Sequence, residues 1–186
     1  FDMDGTLTLP HQLDFDEMRR AAGLPEGAPI FAGIEALPEE GRSAAWAAIE
    51  AIELKLFETI KLQPGLSELI GTLKAKGVQL GIATRNNPRA VAELCRVAGL
   101  APDTFDPVLT REGPYPDKPD PAIALAATEA WGLKPEDCLM VGDSMDDMRC
   151  GRAAGMATCF IKPAEEAGGG GGGVEVEPAA LVAPVP

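Results

Sequence analysis

The chain has 186 residues, the size of one ordinary domain or of one domain with a small insert. Its 46% hydrophobic and 24% charged residues exclude a disordered or collagen-like protein. Sixteen basic against 29 acidic side chains give a formal charge of −13, which repels polyanions and offers no counterion release, so nucleic acid is not an expected partner.

Taken in chain order, Phe1-Asp2-Met3-Asp4-Gly5-Thr6-Leu7-Thr8 reads as the end of a strand running into a Gly-containing turn. Leu9 to Gln63 shows no strand pattern. Asp14 with Glu17 resembles a capping box opening a helix to Ala22, and Ser43 to Ile60 is a longer amphipathic helix carrying Trp46, Ile49, Ile52, Leu56 and Phe57. Trp46 and Phe57 are expected in the core of this helical insert, and His11 as a solvated hinge residue. From Pro64 on, helices and strands alternate. The spacing predicts a helix over Leu66–Lys76, a strand over Val78–Thr84, a helix over Pro88–Ala98 and a short strand over Asp106–Thr110. A helix over Pro121–Trp131, a strand over Cys138–Val141, a helix over Met145–Ala154 and a strand over Met156–Ile161 follow. Strands separated by helices of about ten residues imply right-handed crossovers and a doubly wound parallel sheet, an α/β fold.

The resulting division is a core of residues 1–8 and 64–162, a helical cap of residues 9–63, and a flexible low-complexity tail of residues 163–186 containing the run Gly168 to Gly173. No run approaches the ~20 apolar residues of a membrane span, so a soluble protein with no membrane partner is expected. Cys95, Cys138, Cys150 and Cys159 form no zinc spacing and each lies in an apolar stretch, which predicts buried free thiols and a reducing compartment, cytoplasm or organelle. Met140, Met145, Met148 and Met156 are expected to fill the core. The chain opens at Phe1 inside a strand pattern, which is compatible with a targeting peptide upstream.

In a parallel sheet, ligands bind at the carboxyl ends of the strands. There the sequence offers Asp2 and Asp4, then Thr84-Arg85-Asn86, then Lys118 within Asp117-Lys118-Pro119-Asp120-Pro121, then Gly142-Asp143-Ser144 with Asp146 and Asp147. Singly, each has a bland alternative: an acidic turn, a helix-entry residue, a solvated lysine, a helix-capping Asp143. Together, these residues suit phosphoryl transfer. Carboxylates hold a hard divalent cation such as Mg²⁺, while a lysine, a hydroxyl and backbone N–H groups at Thr84, Arg85 and Asn86 neutralise the remaining oxygens.

With these four motifs in this order, the chain resembles the haloacid dehalogenase-like hydrolases as far as about Ile161. Phe1 to Thr8 is similar to the first motif, Thr84 to the second, Lys118 to the third, and Gly142-Asp143-Ser144 with Asp147 to the fourth. The resemblance implies a Rossmannoid core with a small helical cap like that of phosphoglycolate phosphatases and β-phosphoglucomutase. It also implies that Asp2 is the nucleophile and Asp4 the acid–base group, which separates phosphatases and mutases from dehalogenases. Thr84 and Lys118 would complete the catalytic set, Lys118 offsetting the charge around Asp2. Gly5, Thr84, Arg85, Asn86 and Lys118 would bind the substrate, and Asp2, the carbonyl of Asp4, Asp143 and Asp147 would serve Mg²⁺. The implied activity is a phosphatase acting on a small phosphorylated metabolite. A phosphomutase, or a non-catalytic phosphoacceptor of the same fold, is the alternative.

Overall fold

The computed structural model describes residues 1–10, 14–57 and 59–161, with the Phe57 side chain left out. The expectations for His11, the Phe57 side chain and the tail from Pro163 therefore lie outside the described residues. The chain divides into two compact units, one of Phe1–Pro10 with Leu62–Pro186, the other His11–Lys61. Among the described residues no helix is long and apolar enough to cross a membrane.

Among the described residues, the smaller unit holds α1 (Phe15–Ala21), α2 (Ile30–Glu35) and α3 (Glu39–Phe57). Asp14 caps α1, its carboxylate accepting from the N–H groups of Asp16 and Glu17 at 3.0 and 2.8 Å. Met18, Ala22, Ile30, Ile34, Ala45 and Ile49 form a core of their own, and Trp46 stacks on Phe31 with ring centroids 5.8 Å apart. Two departures from expectation occur here. Helix α2 lies between the two expected helices, in a stretch for which no element was expected. It has no side-chain cap and is held by Ile30 and Ile34, which bury one face at the four-residue spacing. Helix α3 begins at Glu39 rather than Ser43, because Glu39 and Glu40 suit the positive end of a helix and prolong it toward Pro38.

The larger unit contains α4 (Leu66–Ala75), β1 (Ile82–Ala83), α5 (Pro88–Val97), β2 (Val108–Leu109), α6 (Ala122–Trp131), β3 (Leu139–Gly142), α7 (Met145–Ala153) and β4 (Ala157–Phe160), with a 3₁₀ turn at Pro135–Asp137. Strands β1 and β2 pair in parallel, as do β3 and β4. Phe1 and Asp2 bridge the two pairs: Phe1 N donates to Gly81 O and accepts at its carbonyl from Ala83 N–H, both at 2.9 Å, while Asp2 N–H donates to Val141 O at 2.8 Å. The order in space is thus β2, β1, the Phe1–Asp2 segment, β3, β4. Ala83, Met140, Cys138, Cys150, Ile123, Ala124, Ala154 and Met156 make the core behind the site, with Leu109, Tyr115 and Trp131 against it.

The strands are shorter than the apolar runs that announce them. Ile82 N–H reaches Pro107 O at 3.0 Å, but Pro107 has no N–H to return, so the β1–β2 ladder begins only at Val108. Val78, at the start of the expected strand, is exposed. The opening segment forms no regular strand because its turn begins at once: Met3 O accepts from Leu7 N–H at 2.8 Å and Thr8 N–H at 3.0 Å. Two side chains also depart from expectation. Met145 is 53% exposed because it opens α7 beside the cap residue Ser144, and Cys159 is only half-buried, whereas the other three free cysteines are buried.

Candidate active site

Each strand end delivers a polar group. Asp2 leaves the sheet between β1 and β3 and is buried, and Lys118, from the loop after β2, donates from Nζ to Asp2 Oδ1 at 2.6 Å. The same Nζ donates to Asp147 Oδ1 at 2.6 Å and to Ala83 O at 3.0 Å. All three ammonium hydrogens therefore have protein acceptors, and the lysine ties three strand ends together. Burial alone would depress its pKa, but the charges of Asp2 and Asp147 outweigh that effect and hold it above its ordinary value.

The turn after Asp2 depends on Gly5. Its φ of +78° is the left-handed region, and a Cβ there would collide with the Asp143 carboxylate. Thr6 Oγ1 donates to Asp143 Oδ1 at 3.3 Å, and Gln63 Nε2 holds Gly5 O at 2.9 Å. The turn swings the Asp4 carboxylate to the end of β1, where Asn86 Nδ2 donates to Asp4 Oδ2 at 2.5 Å. Burial and the nearby Asp2 charge push the Asp4 carboxyl up to about 7, against the pull of the Asn86 hydrogen bond.

At the end of β1, Thr84 is buried and its Oγ1 accepts from Asn86 N–H at 3.1 Å, which leaves the hydroxyl hydrogen to donate elsewhere. Arg85 has its guanidinium on Lys118 O and on Asp146 Oδ2, the latter at 2.9 Å. At the end of β3, Ser144 rather than Asp143 caps α7. Asp147 completes a capping box with it, Ser144 Oγ donating to Asp147 Oδ2 at 2.5 Å.

Asp2, Asp143 and Asp147 each offer a carboxylate oxygen, and these oxygens lie within 4.8 Å of one another. The Asp4 side chain is not part of this group. Burial, then Asp2 and Asp147, push Asp143 up to about 6, and burial raises Asp2 despite Lys118. Four carboxylates thus face one ammonium group. This surplus of hard, negatively charged oxygen donors is the chemistry a small divalent cation satisfies.

The structure brings Asp2, Asp4, Gly5, Thr84, Asn86, Lys118, Asp143 and Asp147 into one connected network. It turns the Arg85 side chain to the Lys118 loop and the Asn86 side chain to Asp4. Sequence reasoning assigned no role to Thr6, Gln63, Ser144 or the Arg85–Asp146 pair. For Thr6 and Ser144 the signal was adjacency to the acidic motifs. For Gln63, which reaches back 58 residues, there was none.

Comparison with known proteins gives the same picture. The description "haloacid dehalogenase-like hydrolase" matches residues 24–155. A haloacid dehalogenase-like hydrolase domain-containing protein of Arabidopsis thaliana is 35% identical over 174 residues, 87% of this chain and 69% of that protein. A phosphorylated carbohydrates phosphatase of Thermotoga maritima is 28% identical over 180 residues, 86% of this chain and 82% of that one. Among solved structures, a hydrolase from Pseudomonas syringae superimposes with a TM-score of 0.71 at 23% identity, covering 85% of this chain and 81% of the other, a likeness of fold.

Proposed function

The chain belongs to the haloacid dehalogenase-like hydrolases, and from that premise we propose that it is a Mg²⁺-dependent phosphatase that hydrolyses a small phosphorylated metabolite through an aspartyl phosphate, an acyl phosphate formed on Asp2. The observation that carries this reading is the pairing of unlike carboxylates: Asp2 buried against Lys118, and Asp4 two residues on, with its carboxyl pushed up to about 7. A group with that value can donate and accept a proton near neutral pH.

The residues divide the work as follows. An Asp2 carboxylate oxygen attacks phosphorus, and the bond from phosphorus to the substrate oxygen breaks. Asp4 gives its proton to that leaving oxygen, so an alcohol departs rather than an alkoxide. Asp4 then takes a proton from water, whose oxygen attacks the same phosphorus, and the bond to Asp2 breaks to release phosphate. Thr84 donates its hydroxyl hydrogen to a phosphoryl oxygen, with the backbone of Gly5, Arg85 and Asn86 around it. Lys118 keeps Asp2 in place, and its charge offsets the incoming phosphate. Asp2 and Asp143, with the carbonyl of Asp4, are the proposed holders of Mg²⁺, and Asp147 supports them. The cation, when bound, neutralises the carboxylates and the phosphoryl oxygens. The helical unit His11–Lys61, inserted between the Asp2 turn and β1, is proposed as the cap that selects the substrate, in keeping with the phosphatase named for the Thermotoga maritima relative.

The test is phosphate release from p-nitrophenyl phosphate with and without Mg²⁺. Asp2→Asn is expected to keep its melting temperature within a few degrees and to lose turnover by roughly 10³-fold or more, since an amide is a poor nucleophile. Wild-type rates in that variant, with contaminants excluded, would overturn the covalent mechanism.

A further inference from the structure

The Asn86 side chain, expected among the substrate-binding groups, points elsewhere. Its Nδ2 donates to Asp4 Oδ2 at 2.5 Å and lies 3.7 Å from Met3 Sδ, and the residue is buried. Both neighbours are acceptors. The reversed amide would set its oxygen against the Met3 sulfur and, whenever Asp4 is ionised, against a carboxylate, so the donor orientation is the one that suits both neighbours. The backbone of Asn86 is fixed as well. Its N–H donates to Thr84 Oγ1 at 3.1 Å, its carbonyl accepts from Arg111 N–H at 3.1 Å, and the next residue, Asn87, caps α5 through Ala90 N–H at 2.9 Å. Asn86 is therefore held by the ends of β1 and β2 and by the start of a helix, whereas Asp4 sits on a turn.

We propose that Asn86 is a positioning residue for Asp4: its amide commits Oδ2 as an acceptor, fixes the plane of the carboxyl group, and leaves Oδ1 as the oxygen that passes the proton to and from the substrate. The inference rests on the acid–base role proposed for Asp4. Its consequence is selective. Proton donation matters most when the departing alcohol is a poor leaving group and least for p-nitrophenol. A residue that acts only through Asp4 has the same selectivity. A residue that binds phosphate does not, because every ester presents the same phosphoryl group.

The experiment compares wild type, Asn86→Ala, Asp4→Asn and the double variant on phosphate monoesters ranging from p-nitrophenyl to simple alkyl, with Mg²⁺ present. Asn86→Ala is expected to lower kcat on alkyl esters by about 10- to 100-fold, the range of a lost hydrogen bond to a charged group, and on p-nitrophenyl phosphate by about 3-fold or less, with KM little changed. The double variant is expected to match Asp4→Asn, because the positioned group is already gone. If Asp4→Asn shows the leaving-group dependence while Asn86→Ala loses activity equally on all esters, or loses it in KM, the positioning role is overturned and substrate binding takes its place. If Asp4→Asn shows no such dependence, the acid–base reading of Asp4 falls first and the inference with it. Should Asn86→Ala fail to fold, Asn86→Leu removes the donor while keeping a branched side chain of similar shape and adding no charge. The same split is then expected, and equal losses overturn the proposal.

Discussion

At the scale of single residues, the site is dominated by one charge imbalance. Among the described residues, Lys118 is the ammonium group hydrogen-bonded to these carboxylates, to Asp2 and to Asp147. Burial and then the charge of Asp2 act on both Asp4 and Asp143 and outweigh their hydrogen bonds from Asn86 and Thr6, which holds both carboxyls above 3.8. This has a consequence for stability. Folding moves the Asp4 carboxyl from 3.8 to about 7, so between those values the folded protein binds more protons than the unfolded chain. A raised carboxyl contributes stability that is fully present below 3.8 and is lost as pH rises through about 7. In metal-free buffer the melting temperature is therefore expected to fall as pH rises from about 4 to about 7 and to level off above that, and to fall less steeply in Asp4→Asn. Melts at matched ionic strength check this, and equal slopes in the two proteins would count against the shifted Asp4.

At the scale of elements, what the sequence disclosed was what has a local cause. Helix ends were legible where the sequence marks them, with Asp14 before α1, Pro88 at α5 and Gly132 after α6, whereas Asp143 was the cap the sequence offered for α7 and Ser144 takes that place. Helix α2 was not, because burial of Ile30 and Ile34 holds it and no cap announces it. Thr84 and Asp143 were legible because each follows an apolar run, Lys118 because prolines stiffen the loop around it, and Asp2 and Asp4 because they stand one residue apart before Gly5. The partners of Asn86 and Arg85 were not, since Asp4, Lys118 and Asp146 stand 82, 33 and 61 residues away and only the closed sheet brings them together. The turn at Gly5 combines both kinds of cause, and a paired substitution separates them. Gly5→Ala incurs roughly 1–2 kcal/mol of left-handed strain and also drives a methyl group into Asp143. Gly65→Ala carries the same backbone strain, at φ +77°, with open space around it. Similar losses of melting temperature are expected for the backbone term in both. Activity is expected to fall by about 100-fold or more in Gly5→Ala alone, since displacing Asp143 by an ångström misplaces the site. Equal activity in the two variants would show that the close approach to Asp143 is unimportant.

At the scale of the whole molecule, the division into two units makes the proposed cap separable from the chemistry. Every carboxylate of the site, together with Lys118, Thr84 and Asn86, belongs to the unit formed by Phe1–Pro10 and Leu62–Pro186, and the His11–Lys61 unit has its own apolar core. The two crossing points are tied together within the larger unit: Thr8 and Leu62 form an antiparallel bridge, and Gln63 N–H donates to Leu7 O at 3.0 Å. Bridged residues lie about 5 Å apart, so a short Gly/Ser linker can replace residues 11–61 without stretching the chain, and closing so short a loop costs little entropy. The shortened protein is expected to fold and to hydrolyse p-nitrophenyl phosphate slowly, because its site residues are all retained. Its discrimination among small phosphate esters is expected to shrink, since the groups that recognise the non-reacting part of a substrate are proposed to lie on the excised unit. A panel of phosphorylated sugars and short phosphorylated acids, assayed on both proteins, measures this as a ratio of kcat/KM values. If the ratios stay unchanged while the shortened protein remains folded and active, substrate selection belongs to the larger unit and the cap assignment fails.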